Sequence, residues 1–107
     1  MFMDRLQIHD TIREKVQTCL PGSRILLFGS RARGDGDRHS DYDLLIITPE
    51  TFTTQEKVRW SNRLDRAIVK AINAPVDLLL NSEEEISQKR ELPGHIIRTA
   101  IREGVAL

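Results

Sequence analysis

Two short apolar runs, Ile25-Leu26-Leu27-Phe28 and Leu44-Leu45-Ile46-Ile47, are joined by residues 29–40, a stretch dominated by Gly, Asp and Arg. Parallel neighbouring strands need a crossover of a dozen or more residues, usually a helix. This linker is loop with at most one helical turn, so the two runs are read as antiparallel neighbours, the second strand opening at Asp41 or Tyr42. The next connection differs. Thr53-Thr54-Gln55-Glu56 is a capping-box pattern that opens a helix running to about Asn73, and Val76-Asp77-Leu78-Leu79-Leu80 follows as a third strand. Strand, long helix, strand in that order makes a parallel right-handed crossover. The expected fold is α/β (α+β), with a small mixed sheet of about three strands flanked by helices.

The remaining elements fit around that frame. Residues 4–19 read as an amphipathic helix, with Leu6, Ile8, Ile12, Val16 and Leu20 near helical spacing and Pro21-Gly22 ending it. Trp60, Leu64, Ala67, Ile68, Ala71 and Ile72 line one face of the long helix. Ser82-Glu83-Glu84-Glu85 is a second capping box. After Pro93-Gly94, residues 95–103 read as a last helix with Ile96, Ile97, Ala100 and Ile101 inward and Gly104 as its C-cap. A chain of 107 residues buries roughly two thirds of its unfolded surface, enough for one domain over residues 1–107 and no separate substrate domain.

Lys+Arg and Asp+Glu both total 16, so no charge asymmetry argues for wrapping duplex nucleic acid. The lone Cys19 excludes an internal disulfide and suits a reducing compartment. The opening residues Met1-Phe2-Met3-Asp4-Arg5 lack the apolar core of a signal peptide and no apolar run approaches a membrane span, so a cytoplasmic location is expected. His9, His39 and His95 are scattered without partners at metal-ligand spacing, which favours surface roles, although His39 lies close enough to the acidic motif to touch a phosphate.

Asp41 and Asp43 sit two apart at the start of the second strand. Alternation points them to one face, about 6.6 Å apart along the strand. Carboxylates held that close repel unless a cation stands between them or one takes a proton. Hard oxygen donors of this kind select Mg²⁺ or Mn²⁺. An isolated D-x-D is more often a solvated strand start, and Asp77 changes the balance. An acid between Val76 and Leu78 is hard to explain by packing. If its strand lies beside the second, three carboxylates come level and can hold two divalent ions about 3.5–4 Å apart. Gly29 lets the backbone approach a phosphate, and Ser30 adds a hydroxyl donor. Arg31 and Arg33 either reach phosphates or are solvated loop residues. The lysine and spacing of a P-loop are absent.

Gly29-Ser30-Arg31-Ala32-Arg33-Gly34 with Ser40-Asp41-Tyr42-Asp43-Leu44 resembles the minimal nucleotidyltransferases of the DNA polymerase beta-like nucleotidyltransferase superfamily, particularly their antitoxin type. Asp77 matches the family's third acid, and Arg102-Glu103-Gly104 its usual tail. The resemblance covers nearly the whole chain. It implies Mg²⁺-dependent transfer of AMP from ATP to a hydroxyl. Asp41, Asp43 and Asp77 would be catalytic and hold the metals, two ions in all, while Gly29, Ser30 and Arg33 hold the triphosphate. It further implies a co-encoded all-helical toxin of the HEPN type as partner, adenylylated on a tyrosine as in a type VII-like antitoxin system. Two alternatives stay open: a non-catalytic antitoxin that neutralises by binding, and a transferase acting on a small molecule. Self-association into a homo-oligomer is also left open.

Overall fold

The computed structural model describes residues 3–37 and 39–107. Nine elements follow in order: α1 (Arg5–Cys19), β1 (Arg24–Phe28), α2 (Gly29–Arg33), β2 (Tyr42–Thr48), α3 (Thr54–Ile72), β3 (Val76–Ser82), α4 (Glu83–Lys89), α5 (Ile96–Glu103) and β4 (Val105–Ala106). The sheet order is β3-β2-β1-β4. β1 runs antiparallel to β2, and β2 parallel to β3, as the connection lengths require. The sheet has a fourth strand that the expected three lacked: β4 pairs antiparallel with β1, Leu26 opposite Ala106 and Leu27 opposite Val105. A two-residue strand carries no periodicity of its own. Its position depends on Gly104, where a Cβ would lie 2.4 Å from the Ala100 carbonyl oxygen and 3.1 Å from Leu26 Cβ.

Helices cover both faces of the sheet, which explains why β2 reads as an unbroken apolar run rather than an alternating one. On one face Leu44 and Ile46 pack with Ile25 and Leu27 against Ile12 and Val16 of α1 and Leu64 and Ile68 of α3. On the other, Leu45 and Ile47 pack with Phe28 against Ile86 of α4 and Ile97 and Ala100 of α5. Asp43 and Leu45 share a face by alternation, so the acid points toward the α5 side. Ile96 departs from the inward set expected for the last helix: it is 48% exposed, whereas Ile97 is buried.

Both expected capping boxes form, Thr53 with Glu56 and Ser82 with Glu85, and the structure adds a third, Asp4 with Gln7, at the start of α1. Glu85 does two things at once. One carboxylate oxygen accepts from the Ser82 N–H at 2.9 Å, and the other pairs with Lys57 Nζ of α3. Burial alone would raise its pKa, but the Lys57 ammonium and the Ser82 N–H outweigh it and hold the carboxyl below its ordinary 4.5. A depressed carboxyl contributes stability that is present above the ordinary value and is lost as pH falls through the folded one. Glu85→Gln keeps a residue that can close the capping box and removes the ion pair. It should melt lower than the wild type at neutral pH, and the gap should close at pH well below 4.5. A gap independent of pH in thermal denaturation would refute this.

Candidate active site

β1 ends at Phe28, and the chain turns at once into α2. Gly29, at φ 72°, makes that turn. It also stands where Asp43 needs room, since a Cβ on Gly29 would lie 2.2 Å from Asp43 Oδ2. The five-residue α2 is closed by Gly34, and the Ser30 carbonyl accepts from the N–H groups of Gly34, Asp35 and Gly36 at 3.0–3.2 Å. The helical turn therefore starts at Gly29 itself, and the polar loop begins only after Arg33.

Register brings the acids together. Asp43 stands opposite Phe28 across the β1–β2 ladder and opposite Asp77 across β2–β3. Directly opposed residues share a sheet face, so Asp43 and Asp77 project side by side. Asp41 lies just before β2 and is exposed. Burial first, and then the charges of Asp77 and Asp41, push the Asp43 carboxyl above its usual range, with Arg33 partly offsetting them. Asp43 and Asp77 line a cavity of about 290 Å³. Phe28, Leu79 and Ile96 give it an apolar wall, and Arg33 and Glu103 stand at its rim. Asp41 and Ser30 are not among its lining residues. Among the described residues, no three His, Cys, Asp or Glu side chains are already gathered to hold one ion. The acids fit a divalent cation by their chemistry: hard oxygens, a shared register rung, and one carboxyl disfavoured as an anion by its neighbours.

The two arginines part company. Arg31 turns away from the acids: its Nε donates to the Ser40 carbonyl at 3.1 Å, and its guanidinium carbon lies 4.4 Å from the Tyr42 ring centroid. It fastens the loop to the start of β2. Arg33 faces the cavity, 3.1 Å from Asp35 Oδ2 and 3.8 Å from Glu103 Oε2. The backbone N–H of His39 donates to Asp37 at 2.8 Å. His95 caps α5, its Nδ1 accepting from the Ile97 N–H. The wall residues Phe28, Leu79 and Ile96, with Thr99 and Glu103, went unread as site residues in the sequence. Only the Arg102-Glu103-Gly104 tail hinted at one of them.

The model of the nucleotidyltransferase domain matches residues 9–107. The chain belongs to that family. This nucleotidyltransferase domain is 40% identical over 57 residues to a "putative protein adenylyltransferase" of Methanocaldococcus jannaschii, an alignment covering 51% of the chain and 58% of the relative's length. The match thus spans less than two thirds of that relative. Among solved structures it resembles a "putative minimal nucleotidyltransferase" at 23% identity and TM-score 0.65, over 100% of this chain and 97% of the other. A toxin–antitoxin crystal structure with AMP-PNP aligns at 22% identity and TM-score 0.68, over 92% of this chain and 70% of that one. A tri-AMPylated Shewanella oneidensis HEPN toxin in complex with its MNT antitoxin aligns at 18% identity and TM-score 0.64, over 96% and 71%. At these identities the structural likenesses show a shared fold. No helix among the described residues is long and apolar enough to cross a membrane.

Proposed function

We propose that this nucleotidyltransferase domain transfers AMP from ATP to a hydroxyl supplied by another protein, a tyrosine of a HEPN-type toxin. The observation that carries the reading is the Asp43–Asp77 rung with Gly29 pressed against Asp43. It sets carboxylates and a Cβ-free backbone turn around one cavity, the surroundings that a triphosphate and its cation require. Asp43 and Asp77, with Asp41 from the residue just before β2, would hold Mg²⁺, two ions when fully loaded. Bound there, the metal would neutralise charge developing on the phosphoryl oxygens and the leaving group.

The chain's own groups do the rest. Gly29 and Ser30 present the triphosphate to the acids, and Arg33 exchanges Asp35 and Glu103 for phosphate oxygens. The acceptor hydroxyl attacks the α-phosphorus as its proton passes toward Asp77. The bond from that phosphorus to the bridging oxygen breaks, and pyrophosphate leaves. The relative named as a protein adenylyltransferase and the neighbours solved with a HEPN toxin support the choice of acceptor.

The test incubates the chain with labelled ATP, Mg²⁺ and a HEPN-type toxin encoded beside it, in parallel with an Asp41→Asn/Asp43→Asn variant. Label should appear on the toxin with the wild type and vanish with the variant, and Tyr→Phe changes in the toxin should locate it. A wild type that silences the toxin without transferring label would overturn the catalytic reading in favour of neutralisation by binding.

A further inference from the structure

Among the described residues, β3 stands at one edge of the sheet, with β2 on one side and no strand on the other. Its backbone phase follows from the Pro75 carbonyl, which accepts from the Tyr42 N–H at 3.0 Å and so points toward β2. Backbone groups alternate along a strand, so Val76, Leu78 and Leu80 turn their N–H and C=O groups outward. Ser82 continues that series, and its N–H is taken by Glu85 Oε1 rather than by the sheet. Among the described residues, no backbone bond beyond the β2–β3 ladder reaches Leu78 or Leu80.

Edges that must stay unpaired are blunted by lysine, proline, a bulge or shortness. β3 has no lysine, proline or bulge, and its one charge is Asp77: it is seven residues of Val-Asp-Leu-Leu-Leu-Asn-Ser in unbroken register with β2. Along it runs a groove of about 360 Å³, banked by Val58 and Ser61 of α3 and by Lys89 of α4. Val58 is 55% exposed, a large apolar side chain standing over that edge.

We propose that this edge pairs antiparallel with β3 of a second copy of the chain, on a two-fold axis at Leu79, to form one continuous sheet. The occupant is argued from charge and register. A two-fold axis at Asp77 would set like charges face to face, and one at Leu78 would set Asp77 against a leucine. An axis at Leu79 makes Leu78 and Leu80 the hydrogen-bonded pairs, as their outward groups demand, and places Asp77 opposite Asn81 of the second copy. Lys89 Nζ donates to Asn81 Oδ1 at 2.6 Å. Each Asp77 therefore meets Lys89 of the other copy, twice by symmetry. The pairing also carries Lys89 of the second copy to the rim of the acidic cavity, and lays Val58 beside its own counterpart.

Sedimentation of the full chain from micromolar to millimolar concentration should show a monomer–dimer equilibrium. At the dimer end, the Leu78 and Leu80 amides should gain protection from hydrogen exchange. Lys89→Glu and Asp77→Lys should each weaken the dimer about three- to tenfold, and the double variant should recover most of that loss. Circular dichroism confirms the fold of each variant, and the exchange experiment needs only the wild type. A monomer throughout the range overturns the proposal. So does a dimer whose Leu78 and Leu80 amides exchange at the monomer rate, or an edge occupied by a peptide or another protein while this chain stays monomeric.

Discussion

Asp43→Asn should lower nucleotidyl transfer on the order of 10³-fold or more, while raising the melting temperature of the metal-free protein at neutral pH. The two effects share one origin. Asp43 is half-buried, opposite Asp77 in the ladder and close to Asp41, and its carboxyl is pushed above the ordinary 3.8 by burial and then by those two charges. A carboxyl raised on folding is an anion the folded state disfavours. The penalty is absent below 3.8 and grows as pH climbs through the folded value, so it is fully present at neutral pH. Asparagine removes the charge with little change of shape. The variant should melt above the wild type at pH 7, and the two curves should converge as pH falls toward 3.8. Calorimetry over that range checks the stability, and a labelled-ATP assay the transfer. Transfer within tenfold of wild type, or a variant that melts lower at neutral pH, would contradict the reading. Such a trade of stability for activity is the expected mark of charge gathered for function.

Gly29→Ala should abolish transfer and cost about 1–3 kcal/mol of stability, through two separable causes. One is the backbone: φ 72° is left-handed, which an alanine adopts only at a cost. The other is contact, because the new methyl would lie 2.2 Å from Asp43 Oδ2 and 3.1 Å from Asp43 Cγ. Gly34 separates them. Its φ is 83°, but nothing stands within 4 Å of a Cβ placed there. Gly34→Ala should thus pay the backbone cost alone, about 1–2 kcal/mol, and keep its transfer activity. Denaturant midpoints with equal slopes would measure the two losses, and the assay would show whether only Gly29→Ala displaces the carboxylate. Equal activity loss in both variants would mean that the shape of α2, rather than the Gly29–Asp43 contact, limits the reaction.

Much of this architecture was legible in the residues because it rests on local rules. The linker at residues 29–40 offers no full crossover helix, and β1 and β2 are antiparallel. The Thr53 capping box starts α3 as read, and that helix carries the chain over to a parallel β3. The D-x-D spacing leads to the expectation of Asp41 and Asp43 on one face, but β2 opens only at Tyr42, so strand alternation does not extend to Asp41, which is exposed and does not line the cavity. Arg31 was less legible: nothing in Gly-Ser-Arg-Ala-Arg-Gly tells which arginine stacks on Tyr42 and which faces the acids, because α2 sends side chains two apart in different directions. β4 was missed because a two-residue strand exists only where its partner β1 offers an edge and Gly104 lets the backbone approach.

The sequence by itself determined the order of the elements other than β4, the directions of β1, β2 and β3, and the family. Each follows from loop length, side-chain period or a short motif, all properties of neighbouring residues. Only the tertiary structure decided the register that sets Asp77 level with Asp43, the pressure of Asp43 on Gly29, and the use of α5 as the cavity's wall. Those depend on how two helical layers grip the two faces of β2, which couples residues far apart in the chain through packing. A single-residue slip in β3 would carry Asp77 to the opposite face and dismantle the site without altering one local preference.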